Sequence, residues 1–199
     1  MRLGKNIILV LLSALIFSAC GGDDSKNNTI NPTEDTNTTQ PPLVIDGYTL
    51  PPMPDKALND STLLGIDSNN NGVRDDVEIW IYTTYEKPIE RAVFMQSARA
   101  YQIVIQEPEK ALENLPIIQA ATACKAYWSY DAKDNNEPFY LEEYRDYFKE
   151  IYPIQFNTGA RFLAHEKYNQ TLSGGVYKIV DDHAMKSQCD FNVDALLGK

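Results

Sequence analysis

Residues 76–104 read DVEIWIYTTYEKPIERAVFMQSARAYQIV, and the period of their apolar positions decides the fold class. Val77, Trp80, Ile81, Thr84 and Tyr85 recur at steps of three and four. That spacing makes one stripe along a helix, not the alternating faces of a strand. Pro88 suits the first position of a second helix, because its missing N–H would have no partner there in any case. Ile89, Val93, Ala100, Tyr101 and Val104 follow on one face, and Glu107-Pro108 breaks the run.

The same reading continues to the C-terminus. A third helix is expected from about Leu115 to Tyr130, with Pro116 in its first turn. Asp134-Asn135-Asn136 supplies a loop and a cap for a fourth. Its Tyr140, Tyr144, Tyr147, Phe148 and Ile151 share a side until Pro153 stops it. Asn157 or Thr158 caps a fifth, which ends at Gly174-Gly175. Val176 to Lys199 is ambiguous and has room for a short helix. Strand-like alternation is scarce. The expected fold is all-α: a compact bundle of about five helices spanning residues 43–199. The 12 tyrosines fit that bundle with rings inside and hydroxyls at the rim.

Upstream of the bundle the composition changes. Leu43 to Gly65 is punctuated by Pro51, Pro52 and Pro54, which favour extended or turn geometry. Residues 21–42, GGDDSKNNTINPTEDTNTTQPP, hold one large aliphatic side chain, Ile30. Such a stretch cannot bury enough apolar surface to offset the entropy of ordering, so it reads as a flexible tether. Residues 1–20, MRLGKNIILVLLSALIFSAC, begin with Arg2 and Lys5, run apolar from Ile7 to Phe17, and end in small residues before Cys20. That is the three-part pattern of a secretory signal, too short to leave a membrane-spanning helix.

Phe17-Ser18-Ala19-Cys20 resembles a bacterial lipobox. The resemblance implies cleavage after residue 19, acylation of Cys20 and anchoring of residues 20–42 to a membrane through lipid. Several acyl chains hold firmly, at about 0.8 kcal/mol per buried methylene. Gly21 stands where an Asp would resemble an inner-membrane retention signal, so the resemblance implies the outer membrane of a bacterial cell envelope. Of 18 Lys+Arg the signal removes two, which leaves 16 against 28 Asp+Glu. So acidic a chain offers no basic face for nucleic acid.

Setting Cys20 aside, Cys124 and Cys189 remain. In an oxidising compartment such a pair is expected to form a disulfide, here stapling the third helix to the C-terminal tail.

One stretch carries specific chemistry. Residues 67–78 read Asp-Ser-Asn-Asn-Asn-Gly-Val-Arg-Asp-Asp-Val-Glu. Calcium needs six to eight oxygens at roughly 2.3–2.6 Å. Asp67, Asn69 and Asn71 offer side-chain oxygens at alternate positions, and Gly72 permits the sharp turn that lets Val73 present its carbonyl. Asp75 binds directly or through water, and Glu78 closes the shell from the first turn of a helix. The stretch resembles an EF-hand loop, and more closely the single D-x-N-x-N-G-V-x-D-x-x-E loops of bacterial secreted and thrombospondin-type-3-like proteins. The resemblance covers twelve of 199 residues and implies calcium as the ion. Arg74 departs from the aliphatic residue of paired EF-hands, and no second loop occurs, so a calmodulin-like pair is not expected. Two neutral asparagines imply an affinity of about 10⁻⁴–10⁻³ M.

Catalytic patterns are thin. His165-Glu166-Lys167-Tyr168-Asn169 begins like the zincin H-E-x-x-H but ends in Asn, without the second imidazole. Asp181-Asp182-His183 offers a small acid–base or metal cluster. The expectation is a calcium-binding, lipid-anchored envelope protein, a non-enzymatic binding or scaffold module for an unidentified protein partner. The alternatives are an envelope hydrolase using those His and Asp groups, or an inhibitor or immunity-type lipoprotein.

Overall fold

In the computed structural model the described residues are 41–131 and 150–198. They open with an antiparallel hairpin, β1 (Val44–Ile45) and β2 (Tyr48–Thr49), in which Ile45 pairs with Tyr48. Asp46 and Gly47 turn it with φ of 50° and 79°. Two positive values are what a type I′ turn requires, and Asp-Gly adopts them readily. Helix α1 (Lys56–Ser61) follows, capped by the Asp55 side chain, which accepts from Leu58 N.

From within residues 67–78 onward, α2 (Asp75–Thr84), α3 (Pro88–Gln106) and α4 (Ala111–Asp131) succeed one another, with a 3₁₀ turn over Pro108–Lys110 between the last two. Helix α5 is described over residues 150–155, then come α6 (Gly159–Leu172), 3₁₀ turns at Asp182–Ala184 and Lys186–Gln188, and α7 (Val193–Leu197). Among the described residues the body is all-α, with strand confined to the hairpin. Among the described residues no helix is long and apolar enough to cross a membrane.

Helix α3 is the axis. It packs against α2, α4, α6 and α7, so its buried residues lie on more than one face. Val73, Val77, Ile81, Tyr85, Phe94, Met95, Ala98 and Ile151 form one apolar cluster. Ile89, Val93, Cys124, Trp128 and Val193 form a second, and Val104, Ile105, Ala111, Phe156 and Tyr168 a third. Each such side chain, fully buried, contributes on the order of 1.5–3 kcal/mol before entropy is counted. Val73 ties the first cluster to the 67–78 loop: with no exposed surface of its own, it plugs that loop into the core.

Two helix boundaries differ from expectation. The third helix starts at Ala111, not Leu115, so Pro116 lies inside it. The 3₁₀ turn feeds directly into the helix and starts it early. Pro153 does not stop its helix, which runs to residue 155. A proline lacks the donor to the residue four positions before it, so it disturbs the preceding turn and leaves the following one intact. The expected Tyr140, Tyr144, Tyr147 and Phe148 lie outside the described residues, as do residues 1–40. Thr158 is the cap of α6, its Oγ1 accepting from Arg161 N at 3.2 Å. In the ambiguous tail, Asn192 caps α7, and Gly198 closes it at φ 68°.

Cys124 and Cys189 are within bonding distance, S–S 2.00 Å, and join α4 to the turn at Lys186–Gln188.

Candidate metal centre

The loop 67–78 is closed by its backbone before any ligand is considered. Asp75 N donates to Ile66 O at 2.8 Å, which brings the two ends together. Ile66 N in turn donates to the buried Asn59 side chain at 2.9 Å, fixing the loop to α1. Inside the curve, Asp67 accepts from Asn71 N on Oδ1 (3.1 Å) and from Gly72 N on Oδ2 (2.9 Å). Asn71 Oδ1 accepts from Val73 N at 2.9 Å, and Asp75 Oδ1 from Ser68 N at 3.0 Å. Gly72 sits at φ +82° and Asn70 at +55°, the left-handed values that curl the chain back on itself.

These bonds occupy both Asp67 oxygens, Asn71 Oδ1 and Asp75 Oδ1 with backbone donors of the loop itself. Glu78, on the first turn of α2, is wholly buried; its Oε2 accepts from Asn69 Nδ2 at 3.0 Å and Asn71 Nδ2 at 2.8 Å. Asn69, Asn71 and Glu78 therefore meet at one point. Two oxygens bonded to one calcium at about 2.4 Å sit about 3 Å apart. Turning Asn69 or Asn71 about its last torsion puts Oδ1 where Nδ2 now stands, facing the carboxylate at that ligand-to-ligand spacing, and gives up the bond that Oδ1 now accepts, from Asn71 N at 3.3 Å or Val73 N at 2.9 Å. Asp75 is 1% exposed, and its Oδ2 is buried with no hydrogen-bond partner among the described residues. A buried carboxylate oxygen left unpaired is costly, and a cation is the partner such a group fits.

The donor set suits a hard cation: three carboxylates, two amides and the Val73 carbonyl. Among the described residues, no three His, Cys, Asp or Glu side chains are gathered closely enough to hold an ion alone. Asp67, Asp75 and Glu78 are thus not drawn together as placed, and the convergence in the loop is that of Asn69 and Asn71 on Glu78. Asp76 stays outside. Both of its oxygens are taken by Arg74, Nε to Oδ1 at 2.5 Å and Nη2 to Oδ2 at 3.1 Å.

Sequence reasoning missed two contributors. Arg74 is fully buried and points away from the loop, donating to Gln155 O (3.1 Å) and Ile154 O (2.8 Å) at the end of α5. Tyr48 of β2 donates its hydroxyl to Glu78 Oε1 at 2.7 Å. Burial and the Glu78 carboxylate push that phenol up to about 12, so it remains a donor across the ordinary pH range. The Asp-Gly pair between Val44-Ile45 and Tyr48-Thr49 was the signal for the hairpin.

The other candidates are local arrangements. Tyr152 Oη lies 2.7 Å from His165 Nδ1, with Glu166 and Asn169 each at 3.2 Å from the same nitrogen. Asp181 accepts from His183 N at 3.0 Å and caps a 3₁₀ turn. Among the described residues no hydrogen bond or ion pair joins the two groups. On α4, burial pushes the Lys125 ammonium down to about 7, and its Nζ lies 5.9 Å from the Tyr101 ring centre. No family model, no curated protein and no solved structure matches this chain.

Proposed function

We propose that this chain is a calcium-binding, lipid-anchored protein of the bacterial cell envelope, held at the outer membrane through Cys20, in which one ion is a structural fastener. It acts as a binding or scaffold module and not as an enzyme. One observation carries the calcium reading: among the described residues Asp75 Oδ2 is buried without a partner, in a loop whose Asn69 and Asn71 amides converge on the wholly buried Glu78 carboxylate. Asp67, Asn69, Asn71, Asp75 and Glu78 supply side-chain oxygens and Val73 its carbonyl. The ion offsets the repulsion among three carboxylates and fixes the loop between α1 and α2. The sequence of residues 1–42 supports the membrane and lipid part of the reading.

Calorimetric titration of the purified full chain with calcium, paired with thermal melting in calcium and in chelator, tests this. The expected dissociation constant is about 10⁻⁴–10⁻³ M. At calcium a hundredfold above it, mass action adds about 2.7 kcal/mol of stability. Glu78→Gln removes a charged ligand and abolishes both responses. A melting temperature indifferent to calcium, with no heat of binding, overturns the reading.

A further inference from the structure

We infer that Tyr48 is a positioning residue of the calcium site, its hydroxyl bracing Glu78 from outside the loop and so tying ion binding to the docking of the hairpin at residues 43–49. This rests on the calcium reading and adds a part of the chain that no loop pattern includes.

The two oxygens of Glu78 have different surroundings. Oε2 faces the loop, where Asn69 and Asn71 meet it at 3.0 and 2.8 Å. Oε1 is held by Tyr48 at 2.7 Å. An ionised carboxylate has about four lone-pair sites, so Oε1 has room for both the phenol and an ion. Glu78 occupies the closing position of the loop, where both oxygens must face the cation together. A carboxylate free to rotate about its last torsion has to give up that freedom on binding; one braced by Tyr48 has already done so. Outer partners of metal ligands are commonly worth about 10–100-fold in affinity for this reason.

Tyr48 is itself fixed. Its ring stacks on Tyr82, one helical turn beyond Glu78, with centres 4.9 Å apart and planes 17° from parallel. The Arg91 guanidinium lies 5.4 Å from the Tyr82 ring centre. That guanidinium donates from Nη1 to Asp46 Oδ2 in the hairpin turn at 2.5 Å, and from Nε to Tyr85 O at 2.7 Å. The hairpin is therefore attached to the body at two places: its turn to α3 through Asp46, and β2 to α2 through Tyr48. Asp46 is mostly exposed, so its ion pair is worth little on its own. The Tyr48 attachment is the one that changes when an ion arrives.

Coupling of this kind is reciprocal. Calcium, by fixing Glu78, strengthens the seat on which Tyr48 rests. Anything that lifts the hairpin releases Glu78 and weakens calcium binding.

The test compares the purified full chain with Tyr48→Phe, which keeps the ring stack and removes the hydroxyl. Calcium titration by calorimetry is expected to give a dissociation constant about tenfold weaker in the variant. Amide hydrogen exchange supplies a second readout that needs no variant. In the wild type, calcium slows exchange of the hairpin amides, including Leu50 N, which donates to Leu43 O at 2.8 Å. In Tyr48→Phe it slows the amides of residues 67–78 but not those of the hairpin. Equal affinities, with hairpin amides indifferent to calcium, overturn this inference and leave the calcium reading standing. Tighter binding in the variant overturns it as well, since the hydroxyl then competes with the ion. A wild type that binds no calcium at all removes both.

Discussion

Gly65 stands where three side chains converge. Its φ is +73°, and a Cβ there would lie 2.2 Å from Arg74 Cδ, 2.7 Å from Asn59 Oδ1 and 2.8 Å from Arg161 Nη2. Both arginines are fully buried, and each satisfies carbonyls at the end of another helix. Arg74 serves α5; Arg161 donates to Asn59 O (2.5 Å), Thr62 O (3.2 Å) and Leu63 O (3.0 Å) just after α1, and to Asp60 at 3.1 Å. Gly65→Ala places a left-handed residue with a side chain into that space. The expected cost is about 2–5 kcal/mol, from backbone strain of ~1–2 and overpacking of ~1–3. Urea denaturation measures it, and a loss under about 0.5 kcal/mol contradicts the geometry. The calcium loop was legible because ion geometry fixes oxygen-bearing residues at set intervals. The role of Arg74 was not, because its carbonyl partners lie 80 and 81 residues away and leave no local pattern.

At the scale of elements, periodicity and capping residues located α2, α3, α4 and α6, gave no sign of the short α1, and misjudged where two helices begin or end. Long runs such as α3 repeat their apolar spacing over several turns, so the pattern outweighs any single residue. A boundary rests on one or two residues, and proline was given too much weight there. Pro116 is the clearest case. It is exposed, lies inside α4, and removes the donor that Leu112 O would otherwise accept. Pro116→Ala restores that bond and gives up no packing, while proline's restriction of the unfolded chain, about 0.4–1 kcal/mol, is lost. The net gain expected is about 1–2 kcal/mol, a rise of roughly 3–6 °C in melting temperature. Scanning calorimetry of the two proteins decides it; a variant that melts lower shows that the helix is adapted to the ring. The hairpin escaped the period test for the opposite reason. Two residues per strand are too few for alternation, and only the Asp-Gly turn marks it.

Across the whole molecule, the proposed ion and the disulfide act on stretches far apart in the chain, residues 67–78 and Cys189. The loop secures the approach to α2, and Cys124–Cys189 secures the tail beyond α6. Between Ser173 and Asp181 that tail carries little of the core: Val176 is 99% exposed and Ile179 82%. Its attachments come later, where Cys189, Phe191, Val193 and Leu197 pack with Ile89, Val93, Cys124 and Trp128. Gln96 Nε2 also donates to Gln188 O at 2.7 Å. A bridge spanning 65 residues removes unfolded-state entropy worth about 4 kcal/mol on the chain-entropy account. The double variant Cys124→Ala/Cys189→Ala is therefore expected to fold and to melt roughly 8–16 °C lower. Its first tryptic cuts fall at Lys178 or Lys186, ahead of any in α2 or α3, because the tail loses its covalent hold while the axis keeps its packing. The rise in melting temperature on adding calcium stays close to the size it has in the wild type, since the link between the two, Arg99 packed at Gly72 and paired with Asp190 at 2.6 Å, is a partly exposed ion pair of little worth. A tail that resists trypsin in the double variant makes the apolar cluster sufficient to hold it. A calcium response that shrinks along with the disulfide couples the two stretches, and they then have to be treated as one cooperative unit.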